Sequence, residues 1–241
     1  MPLSSRVTAK IWNAHFKSTS SSVRLSRECV LFFLTLLCLP SWAQTGKVES
    51  IAALDDPAVP PSIRQSLAPT GYRITLDAST AAIDLWFCKQ VAALPKGTPS
   101  DGVYDLAESA LVAVLHFSRA ASDYRGQAVP AGFYTLRYEL MPNDGNHLGV
   151  APSRDFLLLV PAGSDPGPDK ALHFQEVVSL SRLASGTKHP APLSLVAPEG
   201  GSAKASLSTN DEGQTIFWAT IHLSSGEDVP VGLVVKGTAP Q

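Results

Sequence analysis

Between residues 71 and 236, run after run of this chain places apolar side chains at every second position, and the runs are separated by Pro- and Gly-containing breaks. Successive side chains of a β-strand point to opposite faces, so the alternation marks strands with one buried face rather than helices. The clearest run is 129–140, where Pro130, Ala131 and Gly132 lead into Tyr134, Leu136, Tyr138 and Leu140, alternating with Phe133, Thr135, Arg137 and Glu139. Residues 71–76 behave alike, with Tyr72, Ile74 and Leu76 on one side and Arg73 and Thr75 on the other. In 82–89, Ile83, Leu85 and Phe87 oppose Asp84, Trp86 and Cys88. Residues 110–118 are apolar on both faces until His116, which suits a central strand covered on two sides. Further strands are predicted at 154–160, 192–196, 204–208, 215–223 and 231–236, with Phe217, Ala219, Ile221 and Leu223 toward the core.

The period changes once. After the breaker cluster at 161–168 (PAGSDPGP), one helix is predicted over 169–184, with Asp169 as N-cap and Gly186 just past the end. At 100° per residue, Phe174, Val177, Val178, Leu180 and Ala184 form an apolar stripe, with Gln175, Glu176, Ser179 and Arg182 opposite. Short strands spaced by turns, plus one helix, give an all-β fold class: a mainly antiparallel β-sandwich with one covering α-helix near 169–184. The helix is expected to cap an open end or edge of the sheet, because bare edges invite aggregation. Residues 44–70 read as an extended arm with a helical turn at 62–68, and 71–241 as a single domain with a sub-boundary at 161–168.

Ahead of this domain, residues 29–39 (CVLFFLTLLCL) carry no charge. As a helix rising 1.5 Å per residue, such a run covers roughly half of a ~30 Å hydrocarbon core, too little to span it. Arg6, Lys10, Lys17, Arg24 and Arg27 precede the run, Pro40 follows it, and Ser41-Trp42-Ala43 supplies the small residues of a signal-peptidase site. That order predicts a signal peptide over 1–43, cleaved before Gln44, and a periplasmic or extracellular protein. A start near Val23 would leave a leader of conventional length, so residues 1–22 also read as a mis-assigned start. Leu37 before Cys38 departs from a lipoprotein signal, which needs a small residue there.

Of 19 Lys and Arg, five lie in the leader, and of 21 acidic residues only Glu28 does, which leaves 14 basic and 20 acidic residues, a net charge near −6. A nucleic-acid binder needs a basic patch to displace counterions, so no nucleic-acid partner is expected. No integral membrane segment is expected after cleavage. Cys88 is then the single cysteine, and the core must hold the fold without an intrachain disulfide.

The stretch Val129-Pro130-Ala131-Gly132-Phe133-Tyr134-Thr135-Leu136-Arg137 resembles the P-A-G-x-Y-x-L strand opening of an uncharacterised family of small secreted bacterial β-sandwich proteins. The segments Asn143-Asp144-Gly145-Asn146-His147, Arg154-Asp155-Phe156 and Ser185-Gly186-Thr187-Lys188-His189-Pro190 look like parts of the same family, over roughly residues 70–200. The resemblance implies the fold and export; the family carries no assigned activity.

Candidate sites are few. No G-x-S-x-G, H-E-x-x-H, C-x-x-C-H or phosphate-cradling Gly loop occurs. Trp86, Phe133 and Trp218 fall on faces opposite the assigned core and would form an aromatic platform for sugar rings if they face solvent; packing beneath the helix is the plainer alternative. Asn143, Asp144 and Asn146 could supply oxygen ligands to calcium, and His147 with Asp144 or Asp155 could ligate a transition metal, yet Asn-Asp-Gly-Asn equally suits a tight turn. His147, His173 and His189 would make a zinc centre only if they converge. Cys88 is expected to be an inert buried thiol. The sequence therefore reads as a non-enzymatic, exported β-sandwich that binds or scaffolds at the cell envelope, with a glycan or protein as partner and no cofactor predicted. The alternative is a metal-dependent hydrolase with a histidine-based site, for which calcium or zinc stays open.

Overall fold

The computed structural model describes residues 46–77, 80, 82–143, 151–198 and 204–239. Twelve strands are described: β1 (Lys47–Ala52), β2 (Thr70–Thr75), β3 (Ile83–Phe87), β4 (Leu111–Phe117), β5 (Ala121–Ser122), β6 (Ala128–Val129), β7 (Gly132–Leu140), β8 (Asp155–Pro161), β9 (Pro192–Val196), β10 (Ser206–Thr209), β11 (Thr215–His222) and β12 (Asp228–Lys236). Two α-helices, α1 (Pro61–Ser66) and α2 (Phe174–Ser185), lie between them. Ten strands form one antiparallel sheet in the order β1-β2-β3-β4-β7-β8-β9-β12-β11-β10, and β5 pairs with β6 in a small hairpin. The sheet curls until its edge strands meet, with Gly46 beside Leu207 of β10.

The inward face carries the alternation read from the sequence. Leu85, Leu115, Leu136, Leu159, Leu195 and Phe217 are fully buried in one core. The rings of Phe87 and Phe217 stack at 6.5 Å and Tyr72 meets Phe217 at 5.4 Å, so β2 and β3 touch β11 across the interior. One end of the core is closed by the chain before β4. Asp155, with no exposure, accepts hydrogen bonds from Val103 N (2.9 Å), Tyr104 N (3.1 Å) and Tyr138 Oη (2.7 Å). Tyr104 Oη in turn donates to Val196 O and accepts from Gly232 N at 3.2 Å, bridging the β9–β12 pair.

Much of the outward face is covered too, and this is where the fold departs from a half-solvated sheet. The residues before β2 are not a free arm. Six of them form edge strand β1, which escaped the sequence reading because Val48 and Ile51, three residues apart in KVESIA, fall on opposite faces and give no alternation. The remainder, with Val59, Ile63 and Leu67 buried, joins the same apolar cluster as Trp86, Val112 and Val114. The run 129–140 is also two elements. Gly132, at φ 147°, turns the chain out of the β5–β6 hairpin and into β7.

Helix α2 starts at Phe174 rather than 169, because the preceding residues are used to dock. Leu172 is buried and its N–H donates to Ser109 Oγ at 3.1 Å. The helix's free N-terminal donors find Glu176 Oε2 (from His173 N, 2.8 Å) and Glu108 Oε1 (from Phe174 N, 3.0 Å). Gly186 ends it in the left-handed conformation, φ 64°, as the sequence indicates. Val177 and Val178 pack on Leu158 and Val160 of β8.

What pins this outer layer is a buried ion pair. Arg137 of β7, 1% exposed, donates through Nε and Nη2 to Asp165 at 2.7 Å each, through Nη1 to Ser109 O at 2.8 Å and through Nη2 to Gly167 O at 2.7 Å. Asp165 also accepts from Thr135 Oγ1 at 2.6 Å and Gly167 N at 2.9 Å. Ser109, whose carbonyl Arg137 holds, is the one described non-glycine residue at positive φ (59°). Removing one partner of a satisfied buried pair strands the other's charge, at roughly 3–5 kcal/mol. Asp165→Ala is therefore expected to lose about that much in urea unfolding, and Thr135→Val about 1 kcal/mol. A loss under about 1 kcal/mol for Asp165→Ala would show that the outer layer does not depend on the pair.

Candidate functional site

Two apolar clusters sit on the outward face of the sheet. One is made by α2 with Leu158 and Val160; the other joins Tyr124, Phe156, Val196, Ile216 and Val234. Between them lies a cleft of ≈ 760 Å³. Its floor is Glu139, Phe156 and Leu158, one wall is Phe174, Val178 and Arg182 of α2, and the other is the turn around Tyr124 and Arg125.

That far wall is built by the short β5–β6 hairpin. Asp123, 1% exposed, accepts from Arg125 N (2.9 Å), Gln127 N (2.8 Å) and Gln127 Nε2 (2.6 Å), which closes the turn. Burial nonetheless pushes its pKa up, against those hydrogen bonds. Tyr124 N donates to Pro192 O at 2.8 Å, and Gln127 Nε2 to Pro190 O at 2.9 Å, so the hairpin is fastened to the start of β9. The ring of Tyr124 meets that of Phe156 edge-on at 6.2 Å. On the other side, Ser181 Oγ of α2 accepts from Ala191 N at 2.9 Å. Both walls are thus tied to the chain entering β9.

Glu139 is the chemically unusual member. It lies on β7 directly across from Phe156 and is 3% exposed, and its Oε1 has no hydrogen-bond partner. Burial is the main cause of a pKa raised to about 8; the neighbouring Glu108 carboxylate pushes the same way and Arg137 pulls against them. A carboxyl buried without a partner prefers to keep its proton. A strongly perturbed titratable group lining a cleft of this size makes the cleft a candidate functional site. Sequence reading missed it because Glu139 occupies the face of β7 that alternation assigns to solvent; the signal, faint as it is, lies in three polar residues in a row (Thr135, Arg137, Glu139) on a strand central to the sheet.

The residues singled out in the sequence are placed as follows. Trp86 is 6% exposed, its Nε1 donating to Ala52 O at 2.8 Å, so it is a buried anchor and not a solvent-facing platform. Phe133 is half-buried and stacks on His116 at 4.2 Å. Trp218 is half-buried over Gly232, with Nε1 donating to Ser208 Oγ at 2.8 Å. These rings stand on β3, β7 and β11, with β4 between the first two and β8, β9 and β12 between the last two, so they make no common surface. Asn143 is exposed, whereas Asp144, Asn146 and His147 lie outside the described residues. Asp155, the acid considered as a metal ligand, is fully buried and saturated by Val103, Tyr104 and Tyr138.

His173 and His189 do not meet. His173 is exposed at the N-cap of α2 rather than on its apolar face, and exposed His189 follows its other end. The twelve-residue helix between them is about 18 Å long, far beyond the reach of one metal ion. Among the described residues no three His, Cys, Asp or Glu side chains are grouped to hold a metal. Cys88 is buried, with its thiol pushed up to about 11 by burial, so it is not activated as a nucleophile. Among the described residues no helix is long and apolar enough to cross a membrane.

Glu139 makes stability depend on pH in a direction opposite to most carboxylates. Its folded-state pKa of about 8 exceeds the ordinary 4.5, so the unfolded chain releases this proton first as pH rises. Stability from this group is present below the unfolded value and is lost up to the folded one, at no more than about 1.4 kcal/mol per pH unit. Glu139→Gln is expected to flatten that decline, so that its advantage in urea midpoint over the unaltered protein grows steadily from about pH 5 to about pH 8. Parallel stability curves would mean that Glu139 ionises as an exposed glutamate does. In comparison with known proteins, the chain matches no family model, and no curated protein or solved structure is significantly similar to it.

Proposed function

We propose that this protein is an exported β-sandwich that binds a small, largely apolar ligand in the cleft beside α2. The observation that carries the reading is the buried, partnerless Oε1 of Glu139 on the floor of a ≈ 760 Å³ cleft whose other floor residues, Phe156 and Leu158, are apolar. Pockets that hold small molecules combine apolar walls with a few placed polar groups, and a lone buried polar atom is an attachment point awaiting a partner. A carboxyl that keeps its proton near neutral pH also suits a general acid. Among the described residues, however, no nucleophile or second carboxyl is hydrogen-bonded to Glu139, so binding is the reading adopted. A ligand or glycan of the cell envelope is the expected source.

Two observations support the sandwich and the export. The strands β2 and β3 face β11 through the aromatic contacts of Tyr72, Phe87 and Phe217, as two layers would. The chain divides into compact units between Ala43 and Gln44, where the cleavage is read, and β1 starts at Lys47. The mature protein isolated from its own compartment is expected to begin at Gln44; a chain beginning at Met1 would count against export.

Gln175 is exposed on α2 and lines the cleft, so Gln175→Trp narrows it without touching the core. Binding of the neutral fluorescent probe N-phenyl-1-naphthylamine is expected to weaken at least tenfold in this variant, a loss of about 1.4 kcal/mol, with thermal stability unchanged. Equal binding by both proteins would place the ligand elsewhere.

A further inference from the structure

Taking the cleft as a binding site, we infer that its ligand is an amine: a protonated ammonium seated on Glu139, carried by an apolar body that lies on Phe156 and Leu158. The inference deepens the function proposed above and rests on it.

Three observations point to a cation at the floor. Glu139 Oε1 has no donor, and the neighbouring guanidinium does not supply one: the four hydrogen bonds of Arg137 go to Asp165, Ser109 O and Gly167 O. A buried carboxylate with an empty lone pair is completed best by an N–H that brings a positive charge with it. The surrounding rings suit the same group. Phe156 and Tyr124 form the edge-on pair beside Glu139's cross-strand position, and half-buried Phe174 faces the cleft from α2, so aromatic surface that attracts ammonium ions lines the site. Finally, the Glu108 carboxylate acts on the floor more strongly than the opposing Arg137 guanidinium. Glu108, which caps α2 at Phe174 N, lies close enough to oppose ionisation of Glu139.

The cleft also holds positive groups, and their placement decides which end of a ligand they meet. Arg125 of the β5–β6 turn, Arg182 of α2 and His189 after it are all exposed, while Glu139 is buried. Charges in water are screened over about 8 Å at physiological ionic strength, whereas a dry contact is not. The exposed cations therefore act on whatever projects from the mouth and leave the floor to Glu139. An anionic ligand head at the floor would instead stand near Glu108 and oppose ionisation of Glu139 still further.

Proton linkage makes the inference measurable. Because Glu139 holds its proton up to about pH 8, seating an ammonium expels it, and affinity for an amine must rise with pH until the carboxyl is ionised in the free protein. The other groups facing this carboxyl are Glu108 from the loop before β4, Arg137 on β7, Arg125 from the hairpin turn, and Arg182 and His189 from α2 and its following loop. Of these only His189 is an imidazole, so it is the control.

The test uses 2-phenylethylamine and its neutral counterpart 2-phenylethanol, titrated into the protein in amine-free phosphate buffer and followed by calorimetry and by shifts of cleft resonances. The amine is expected to bind at least tenfold more tightly than the alcohol at pH 8, strengthening up to tenfold per pH unit between about pH 6 and 7 and levelling off near 8. Glu139→Gln is expected to abolish both the preference and the slope, and His189→Asn to keep both. Equal or tighter binding of the alcohol in the unaltered protein would overturn the amine while leaving the cleft as the site. Absence of binding by either compound would overturn both readings. An unchanged slope in Glu139→Gln, or a flat profile in the unaltered protein, would remove Glu139 as the acceptor whatever the variant's stability.

Discussion

The outward face of β7 carries Thr135, Arg137 and Glu139 in succession, all buried, on a strand in the middle of the sheet. Covering polar groups on a sheet face is costly unless each finds a partner, so this short row governs what can lie above it. Asp165 satisfies Thr135 and the guanidinium of Arg137 together, and in doing so holds the loop after β8 flat against the sheet. From that anchor the chain can reach only so far. Leu172 docks on Ser109, and α2 begins two residues later and settles on Leu158 and Val160. Glu139 falls beyond the network and beyond the helix. The cleft is where the outer layer stops, and its floor bears the one acid of the row left without a partner.

A second buried acid shows the contrast. Asp155 lies across from Leu140, at the end of β8, and every donor that Glu139 lacks is present around it: two backbone N–H groups and the Tyr138 hydroxyl. Gly102 is required there, since a Cβ would stand 2.7 Å from Asp155 Oδ1 and from the Tyr138 hydroxyl. Through Tyr104, whose hydroxyl burial lifts to about 12, the same knot reaches β9 and β12 and closes the end of the core. A chain whose one described cysteine is a buried free thiol is held by such polar knots together with its packing.

Most of the inward architecture was legible in the sequence. Alternation placed β2, β3, β4, β8, β9, β11 and β12 to within a few residues, and the faces of Tyr134, Leu136, Tyr138 and of Phe217, Ala219, Ile221 are those expected. The outward layer was not, for a physical reason. Alternation distinguishes two faces of a strand but does not say whether the polar face is wet. Trp86 was left open between a solvent-facing and a packed ring because Asp84 shares its face; the segment before β2 folds over it. The helix was started too early, at 169; with the true N-cap at His173, that histidine stands ahead of the first helical residue. Glu139 carries no sequence signal of burial beyond its neighbours, and no spacing motif could announce a carboxyl defined by what surrounds it.

The functional account therefore turns on whether that carboxyl is dry and unaccompanied. Titrating the side-chain carboxyl carbon of Glu139 by ¹³C NMR measures this directly. A midpoint near 8 is expected from its burial beside Glu108. A midpoint near the ordinary 4.5 would show a solvated glutamate, and both the site and the ligand chemistry assigned to it would fall.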